Sequence, residues 1–317
     1  MSVLGVDSMN YEHIETFLCV VTCKNISAAA KALYISQSTV SARIQQLEAE
    51  LGVSLLIRKK GHHTISLTSY GNSFISIARQ WAALWQEAQA LKHVSDIRQI
   101  TIASVDAVNN YTLAPLFASH ALMHPNIRLT INTYHSGEIY RLVESLDADI
   151  GFVFSRMSYP DVVIKPIYRE LMYLICHKDS IYGDEVACED LDVRQQIMLI
   201  WGNDFLQWHH SHWNPDEPPL LTVNTGSMLQ RYLTIPDRWA VAPMSVVSDA
   251  IRNNSDLVFY TLKTPPPPRI CYEVTNRFAS EPRRKGIRII DEELDDFINQ
   301  NPSICRFETW MLNNGSL

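Results

Sequence analysis

The sequence lacks the features that mark secreted, membrane and disulfide-rich proteins. Its six cysteines are scattered without a CxxC pair, which argues against a disulfide framework or a cysteine-ligated zinc site. It contains no run of 18 apolar residues, so we expect no membrane-spanning helix and no membrane partner. The first residues, MSVLGVDSMNYEHIE, lack the basic start and apolar core of a secretory leader, and we therefore expect a cytoplasmic protein.

Motifs of common enzymes are also missing, because we find no GxSxG, HExxH, GxGxxG, P-loop or EF-hand pattern. We therefore predict that the protein is not an enzyme and has no cofactor and no metal. Two alternatives stay open. His209, His210 and His212 in HHSHW could bind a metal, although a Pro-rich surface loop fits them better. Cys176 and Cys188 could form a redox switch, although the apolar neighbours of Cys176 favour a buried strand thiol.

Charge is unevenly distributed along the 317 residues, whose formal net charge is −7. Residues 1–66 contain six Lys/Arg and five Asp/Glu, whereas residues 97–317 contain nineteen and twenty-seven. The acidic character therefore belongs to the C-terminal part. The charge of the N-terminal part does not oppose binding to nucleic acid. Its positive charge is concentrated at Arg58, Lys59 and Lys60.

Three helices are predicted in the first 52 residues. YEHIETFLCVVTC has apolar residues on one helical face, AAAKAL follows Ser27 as a predicted N-cap, and a third helix starts after Ser36 and ends at Gly52. The buried face of the third helix is predicted to contain Val40, Ile44, Leu47 and Leu51. The next segment, LLIRKKGHHTISL, has a β-hairpin pattern around Lys60-Gly61. Together these elements predict a winged helix-turn-helix.

The third helix begins with an unusual polar stretch, SQSTVSAR, in which most side chains are short. A helix that enters the DNA major groove needs short hydrogen-bonding side chains near its N-terminus, so that the backbone can approach base edges and phosphates. The alternative, that these hydroxyls only cap the helix, loses weight because two helices precede it and a wing follows. The predicted DNA-binding residues are Ser36, Gln37, Ser38, Thr39, Ser41 and Arg43 on the helix and Arg58, Lys59 and Lys60 on the wing.

At this point the stretch FLCVVTCKNISAAAKALYISQSTVSARIQQLEAELGVSLLIRKKGHHTISLTSYG resembles the N-terminal domain of LysR-type transcriptional regulators. The resemblance covers the SxAAxxL helix, the SQSxVSxxIxxLExxLGxxL recognition helix and the LTxxG exit from the wing. It places Gln37, Ser38 and Ser41 where the family contacts bases or backbone, and Arg58 at the wing arginine. This chain departs from the pattern at Ala42, where Arg or Lys is usual. The resemblance implies a double-stranded DNA operator as partner.

The segment TSYGNSFISIARQWAALWQEAQALKHVSD predicts a long linker helix capped by Thr68. Its apolar residues recur in steps of three and four, which favours a coiled coil with a second copy of the chain. The alternative is that the same stripe packs on its own domain. The resemblance implies a dimer and a dimer of dimers, with RNA polymerase as a further candidate partner. The predicted dimerisation residues are Phe74, Ile77, Trp81, Leu84, Ala88 and Leu91.

From residue 98 the pattern changes to alternating strands and helices, which predicts an α/β domain. This region resembles the family's effector-binding domain, a two-lobed, periplasmic-binding-protein-like fold, and DADIGFVF and DRWAVAPMSV lie in the family's usual places. A periplasmic solute-binding protein, the competing class, would need a secretory leader and no helix-turn-helix. The run TPPPPR is predicted to be a stiff extended connection between lobes; a docking site for a Pro-recognition module is the alternative.

The resulting prediction is an α/β protein with three parts: a winged helix-turn-helix over 1–67, a linker and dimerisation helix over 68–97, and an effector-binding domain over 98–317. Lobe one covers 98–165 and 266–317, and lobe two covers 166–265. A small-molecule effector is expected where strand ends and helix N-termini meet. Its charge stays open, since Asp106 would repel an anion unless Arg156 offset it. The predicted effector-binding residues are Ser104, Asp106, His135, Ser136, Phe154, Ser155, Trp201, Thr225 and Ser227.

Overall fold

The chain folds into two units in the computed structural model, which describes residues 10–57, 65–90 and 98–307. The first unit is Met1–Asp96 and the second is Ile97–Leu317. The first consists of helices and a short hairpin, and the second mixes strands and helices. The predicted combination of a winged helix-turn-helix and an α/β domain is confirmed.

The first unit begins with a three-helix cluster whose helix ends are set by side-chain caps. The side-chain Oδ1 of Asn10 accepts a hydrogen bond from the His13 N–H at 3.1 Å. The second helix is capped by Asn25, which accepts from the backbone N–H of Ser27 at 2.7 Å; the prediction that Ser27 is the cap was wrong. The helices are α1 (Tyr11–Cys23), α2 (Ile26–Ala32) and α3 (Gln37–Leu51).

The end of α3 was predicted correctly, and it fixes the strand that follows. Gly52 has a φ of 69°, the left-handed conformation that glycine adopts with little strain. Glu48 then accepts hydrogen bonds from the backbone N–H groups of Leu55 and Leu56 at 2.7 and 3.0 Å. This carboxylate holds strand β1 (Leu56–Ile57), which pairs antiparallel with β2 (Ser66–Leu67) as the base of the predicted wing.

The linker helix α4 (Ser69–Ala90) starts directly after β2. The predicted cap is present, because the Thr68 Oγ1 accepts a hydrogen bond from the Gly71 N–H at 2.9 Å. A Cβ atom on Gly71 would lie 2.1 Å from the carbonyl oxygen of Leu55. Residue 71 therefore has to be glycine for α4 to pack this closely on the wing strand, which explains the glycine of the LTxxG stretch.

The second unit contains two lobes, the first built on a six-stranded sheet with the order β13-β6-β12-β5-β3-β4. Its three parallel strands alternate with helices, and its remaining strands run antiparallel to their neighbours. The strands are β3 (Arg98–Ser104), β4 (Ile127–Thr133), β5 (Ile150–Val153), β6 (Val162–Glu170), β12 (Arg269–Asn276) and β13 (Cys305–Arg306). The helices are α5 (Ala114–Met123), α6 (Ser136–Glu144) and α10 (Glu281–Gln300).

The second lobe is built on antiparallel strands in the order β10-β7-β11 and a parallel pair, β8 and β9. A bridge between Gln196 and Trp239 connects the two groups of strands. Its strands are β7 (Met172–His177), β8 (Ile197–Leu199), β9 (Leu221–Val223), β10 (Trp239–Pro243) and β11 (Leu257–Tyr260). Its helices are α7 (Asn203–His212), α8 (Gly226–Tyr232) and α9 (Met244–Asn253).

Two segments connect the lobes, one after β6 and one before β12. The second contains the proline run, and its residues 265–268 have no regular secondary structure and lead directly into β12 at Arg269. Proline fixes φ and removes N–H donors, so such a run forms an extended, stiff connection. Of the helices that the structure describes, none has the length and apolar character needed to cross a bilayer.

Candidate nucleic-acid interface and ligand cleft

The N-terminus of α3 exposes a compact group of hydroxyls. The Ser36 Oγ accepts a hydrogen bond from the Thr39 N–H at 3.0 Å, so Ser36 is the predicted cap. The same Oγ lies 2.7 Å from the Ser38 Oγ and 2.8 Å from the Thr39 Oγ1. Gln37 and Ser38 are exposed, and Ser41 is partly exposed one turn further along. Backbone N–H groups and hydroxyls at a helix start suit phosphate or base contacts.

Arg43 lies on the same helix but its guanidinium is held by α1. Its Nη2 forms an ion pair with the Glu12 carboxylate, and its Nη1 donates to the Thr16 Oγ1 at 3.4 Å. The side chain is 21% exposed. For Arg43 to contact guanine or phosphate as predicted, its guanidinium would have to leave the Glu12 carboxylate and bind DNA instead.

Sequence reasoning missed one exposed residue in the turn before α3. Tyr34 is 95% exposed and has a φ of 56°, which is rare for an aromatic residue. The only signal for it in the sequence is its place between two helices of a helix-turn-helix. The predicted wing contacts Arg58, Lys59 and Lys60 lie outside the described residues.

The apolar stripe on α4 is divided between two surfaces. Phe74 is 6% exposed and its ring lies 5.2 Å from that of Phe17, while Trp81 packs on the same core. These two residues follow the alternative prediction, packing on their own domain, because α1 covers that side of the helix. Ile77 and Leu84 are 54% and 60% exposed, and Ala88 is exposed. Leu91 lies outside the described residues.

A cavity of about 280 Å³ opens between the two lobes of the second unit. It brings together the end of β5, the start of α7 and the proline connection, although these segments are far apart in sequence. The backbone of Gly202, which has a φ of 122°, directs the chain into α7 at the edge of the cavity. The lining residues include Phe154, Ser155, Arg156, Trp201, Gly202, Asn203, Asp204, Pro267, Pro268, Arg269 and Tyr272.

Arg269 is the central cation of this cavity. Its guanidinium carbon lies 3.6 Å from the centre of the Phe154 ring, which belongs to lobe one, and 4.7 Å from that of Trp201, which belongs to lobe two. Stacking on aromatic faces is favourable for a guanidinium. Its Nε and Nη1 are buried and have no hydrogen-bond partner. Arg156, exposed at the same cavity, is a second cation, and Asp204 is an acidic neighbour.

Three of the nine predicted effector-binding residues, Phe154, Ser155 and Trp201, line the cavity. The other six lie outside its lining for local reasons. Ser104 is fully buried, Asp106 accepts a hydrogen bond from Asn110 at 2.6 Å, and His135 and Ser136 start α6 beside the edge strand β4. The hydroxyls of Thr225 and Ser227 lie 3.1 Å apart.

Tyr111, another residue that sequence reasoning missed, joins part of this second group. A Cβ on Gly226 would lie 3.0 Å from the Tyr111 ring, so lobe two packs directly on it. Burial, followed by the carboxylates of Asp106 and Asp249, raises the pKa of the Tyr111 phenol to about 12, and a hydrogen bond to Ser227 opposes the shift. Asp106 and Ser227 therefore both lie near Tyr111, and neither lines the cavity.

The HHSHW stretch is not the surface loop that the sequence predicted. His209, His210 and His212 form the last turn of α7. The Nε2 of His209 is buried and bonded to the Gln196 Oε1 at 2.7 Å, and its Nδ1 is buried without a hydrogen-bond partner. Burial, followed by the charges of His210 and His212, lowers the pKa of His209 to about 4.

The two cysteines of the redox alternative are both buried free thiols. Cys176 lies in β7, as predicted from its apolar neighbours. Burial raises the pKa of its thiol to about 11, and burial also raises the pKa of Cys188. Thiols that stay protonated react slowly, so this environment does not favour a redox role.

A winged helix-turn-helix with an exposed polar recognition helix, followed by two lobes around a small cavity, defines a class: ligand-responsive DNA-binding regulators. Residues 11–72 match the model of the bacterial regulatory helix-turn-helix protein, lysR family, and residues 95–284 match that of the LysR substrate binding domain. The chain belongs to the LysR family of DNA-binding transcriptional regulators, and the resemblance noted in the sequence is confirmed.

Curated relatives in this family are themselves transcriptional regulators. The chain is 31% identical over 188 residues to the HTH-type transcriptional regulator CysL of Bacillus subtilis, a match that covers 58% of this chain and 62% of that relative, less than two thirds of its length. It is 25% identical over 254 residues to HdfR of Shigella boydii, covering 75% of this chain and 83% of HdfR.

Solved structures of full-length family members share the fold. OxyR from Pseudomonas aeruginosa superposes with a TM-score of 0.63 at 18% identity, covering 90% of this chain and 95% of OxyR. LysG from Corynebacterium glutamicum, solved with bound arginine as effector, gives 0.61 at 18% identity, covering 91% and 98%. CbnR in complex with its target DNA gives 0.53 at 20% identity, covering 91% and 100%.

Proposed function

We propose that this protein reads an operator through the N-terminus of α3 and that a small anionic molecule in the cavity between the lobes changes how it does so. The exposed group formed by Ser36, Gln37 and Ser38 carries the first half of this proposal. Gln37 reaches a base edge, while Ser38 and Ser41 contact bases or phosphates. The wing residues Arg58, Lys59 and Lys60 add phosphate contacts. Tyr34, next to the helix start, is a further hydrogen-bond donor, whose hydroxyl contacts a DNA phosphate.

Pairing of two chains supplies the specificity that one recognition helix lacks. Ile77, Leu84 and Ala88 share an exposed side of α4, and such a surface is stable in water when a second helix covers it. A dimer places two recognition helices on two half-sites, and a dimer of dimers extends the operator further. The protein would act in the cytoplasm, where its DNA lies, with RNA polymerase as the neighbouring complex at a promoter.

The chemistry of the cavity favours an anionic effector. Its lining contains two cations, Arg156 and Arg269, and one carboxylate, Asp204. Because Arg269 is also paired with Glu170, the preference for an anion rests on Arg156 and on the backbone N–H groups at the start of α7. Ser155 and Asn203 add hydrogen-bonding groups for orientation. The volume of about 280 Å³ suits a small metabolite that carries a carboxylate or another oxyanion.

The effector would act by shifting a population of lobe arrangements. Because Phe154 and Trp201 come from different lobes and both stack on Arg269, a molecule bound among them has different contacts when the lobes are closed and when they are open. These different contacts give the two arrangements different affinities for the effector, so binding shifts the population between them. The shift changes the packing of the effector-binding domains and thereby the spacing of the DNA-binding units. The protein itself performs no chemistry in this scheme.

Selection of bound genomic fragments tests the DNA half of the proposal, because it returns the operator. Footprints on that operator with a panel of small carboxylates and oxyanions then test the effector half. We expect one class of anion to change the footprint. Arg156→Gln should weaken the binding of that anion about 10–100-fold, the range for a lost charge-assisted hydrogen bond. Arg194→Gln is the control, since Arg194 is paired with Asp192 on the surface. Identical footprints under every anion would reject the effector proposal.

A further inference from the structure

Two histidines and a glutamate form a cluster in lobe one, away from both sites described above. His120 lies in α5 and His124 follows its last turn, so the spacing of four residues puts both rings on one side of the helix. Glu293 reaches them from α10. Its Oε2 lies 2.6 Å from the His120 Nδ1 and its Oε1 lies 2.5 Å from the His124 Nε2. In the described part of the chain, this is the one group of three His, Cys, Asp or Glu residues whose ligand atoms lie within 4.8 Å of one another.

We propose that His120, His124 and Glu293 bind one divalent transition-metal ion of the zinc class. Two imidazoles and a carboxylate are a ligand set that Zn²⁺ accepts, with a water molecule as fourth ligand. The ligand atoms now lie at hydrogen-bond distances. Metal bonds of about 2.0–2.2 Å in a tetrahedron place neighbouring ligand atoms about 3.3–3.6 Å apart. Each pair of Glu293 oxygen and histidine nitrogen therefore has to widen by about 1 Å, which side-chain rotation supplies.

The imidazole rings of the cluster can present the lone pairs that a metal needs. A metal needs a lone pair on each facing nitrogen, and a neutral imidazole provides one when its proton is on the other nitrogen of the ring. In His120 that other nitrogen, Nε2, is buried and has no hydrogen-bond partner. No contact of Nε2 therefore fixes His120 in the tautomer with the proton on Nδ1.

Access and charge also suit a cation. The side chains of His120, Glu293 and His124 are 2%, 16% and 35% exposed, so the site is closed at His120 and open to solvent at His124. Residues 291–296 of α10 contain five carboxylates, which attract a dication. A bound ion would join α5 to α10, two helices connected here by the Glu293 side chain. This proposal is independent of the anion proposed for the cavity between the lobes.

Zinc titration of the full chain after removal of metals with a chelator tests the site. We expect one equivalent of Zn²⁺ per chain by calorimetry, and Co²⁺ in place of Zn²⁺ should give the visible absorption of a four- or five-coordinate ion. His124→Gln and Glu293→Gln should each lower the affinity at least tenfold. The matched control is the double variant His210→Gln and His212→Gln, which removes two other helical histidines and should bind as the wild type does.

Two outcomes would overturn the proposal. One is the absence of binding at micromolar Zn²⁺ in a wild-type chain that is folded by circular dichroism. The other is binding that survives both cluster variants and is lost in the control, which would assign the ion to the end of α7. Because Glu293→Gln keeps the size of the side chain, circular dichroism of that variant separates loss of a ligand from loss of the fold.

Discussion

Arg269 and Glu170 form a buried ion pair where strands β12 and β6 meet the second lobe. They are register partners in the sheet, and the Arg269 Nη1 lies 3.8 Å from the Glu170 Oε2. Their side chains are 9% and 0% exposed. Burial raises the pKa of Glu170 and lowers that of Arg269, and each partner opposes the shift of the other. The pair fixes the cation that faces the cavity.

Arg269→Met should lower the free energy of unfolding by about 3–5 kcal/mol, the usual cost of leaving a buried charge without its partner. The double variant Arg269→Met with Glu170→Gln should recover much of this loss, because it also removes the orphaned carboxylate. Urea unfolding of both variants measures the difference. Equal stability of the single and double variants would show that the two groups are not coupled.

Gln37→Ala should reduce discrimination at one base step by about 1–3 kcal/mol, because the amide is expected to pair with a base edge. Fluorescence anisotropy with operators altered one position at a time measures this. Gln45→Ala is the matched control, since Gln45 is an exposed residue of the same helix, two turns beyond its N-terminal region. Equal loss on every sequence would assign Gln37 to a phosphate.

Leu84→Asp should convert the proposed dimer to monomer at micromolar concentration, because a carboxylate at residue 84 would have to be buried against the partner helix. Sedimentation velocity measures the mass. Gln89→Asp introduces the same charge at another exposed position of α4 and should leave the dimer intact. Retention of the dimer in Leu84→Asp would place the interface elsewhere, and Phe74→Asp would not test it, since Phe74 is in the core.

The stability of lobe two should fall when the pH drops from about 6.5 to about 4. Burial lowers the pKa of His209 to about 4, whereas in an unfolded chain it is about 6.5. Between these values the unfolded chain binds the extra proton and the folded chain does not, so acid favours unfolding, by at most about 3 kcal/mol. Urea unfolding at several pH values should show a shallower dependence of stability on pH in His209→Gln than in the wild type.

The local structure of the first unit could be predicted from sequence because its signals are local. The start and end of α3 were predicted correctly from its apolar spacing, the Ser36 cap and Gly52. Local signals also misled, because Asn25 and Ser27 are both capable caps and only the hydrogen bond distinguishes them. The stripe on α4 has the same spacing whichever surface covers it, so sequence could not separate Phe74 from Ile77.

The sites of the second unit depend on contacts between distant segments. The cavity combines residues near 155, 202 and 268, which converge because two segments of the chain connect the lobes. Sequence reasoning found Phe154, Ser155 and Trp201 because they follow strands, and it missed Arg269 because that residue begins one. His120 and Glu293 are 173 residues apart, and no local pattern links them.

The contact between Gly71 and the Leu55 carbonyl has a consequence at the far end of α4. A helix of 22 residues is about 33 Å long. Any side chain at residue 71 would force its first turn away from the wing strand, and a tilt of about 3° there displaces the last turn by nearly 2 Å. The glycine at residue 71 thus determines the direction in which α4 leaves the winged helix-turn-helix, and in the proposed dimer it would also affect the distance between the two recognition helices.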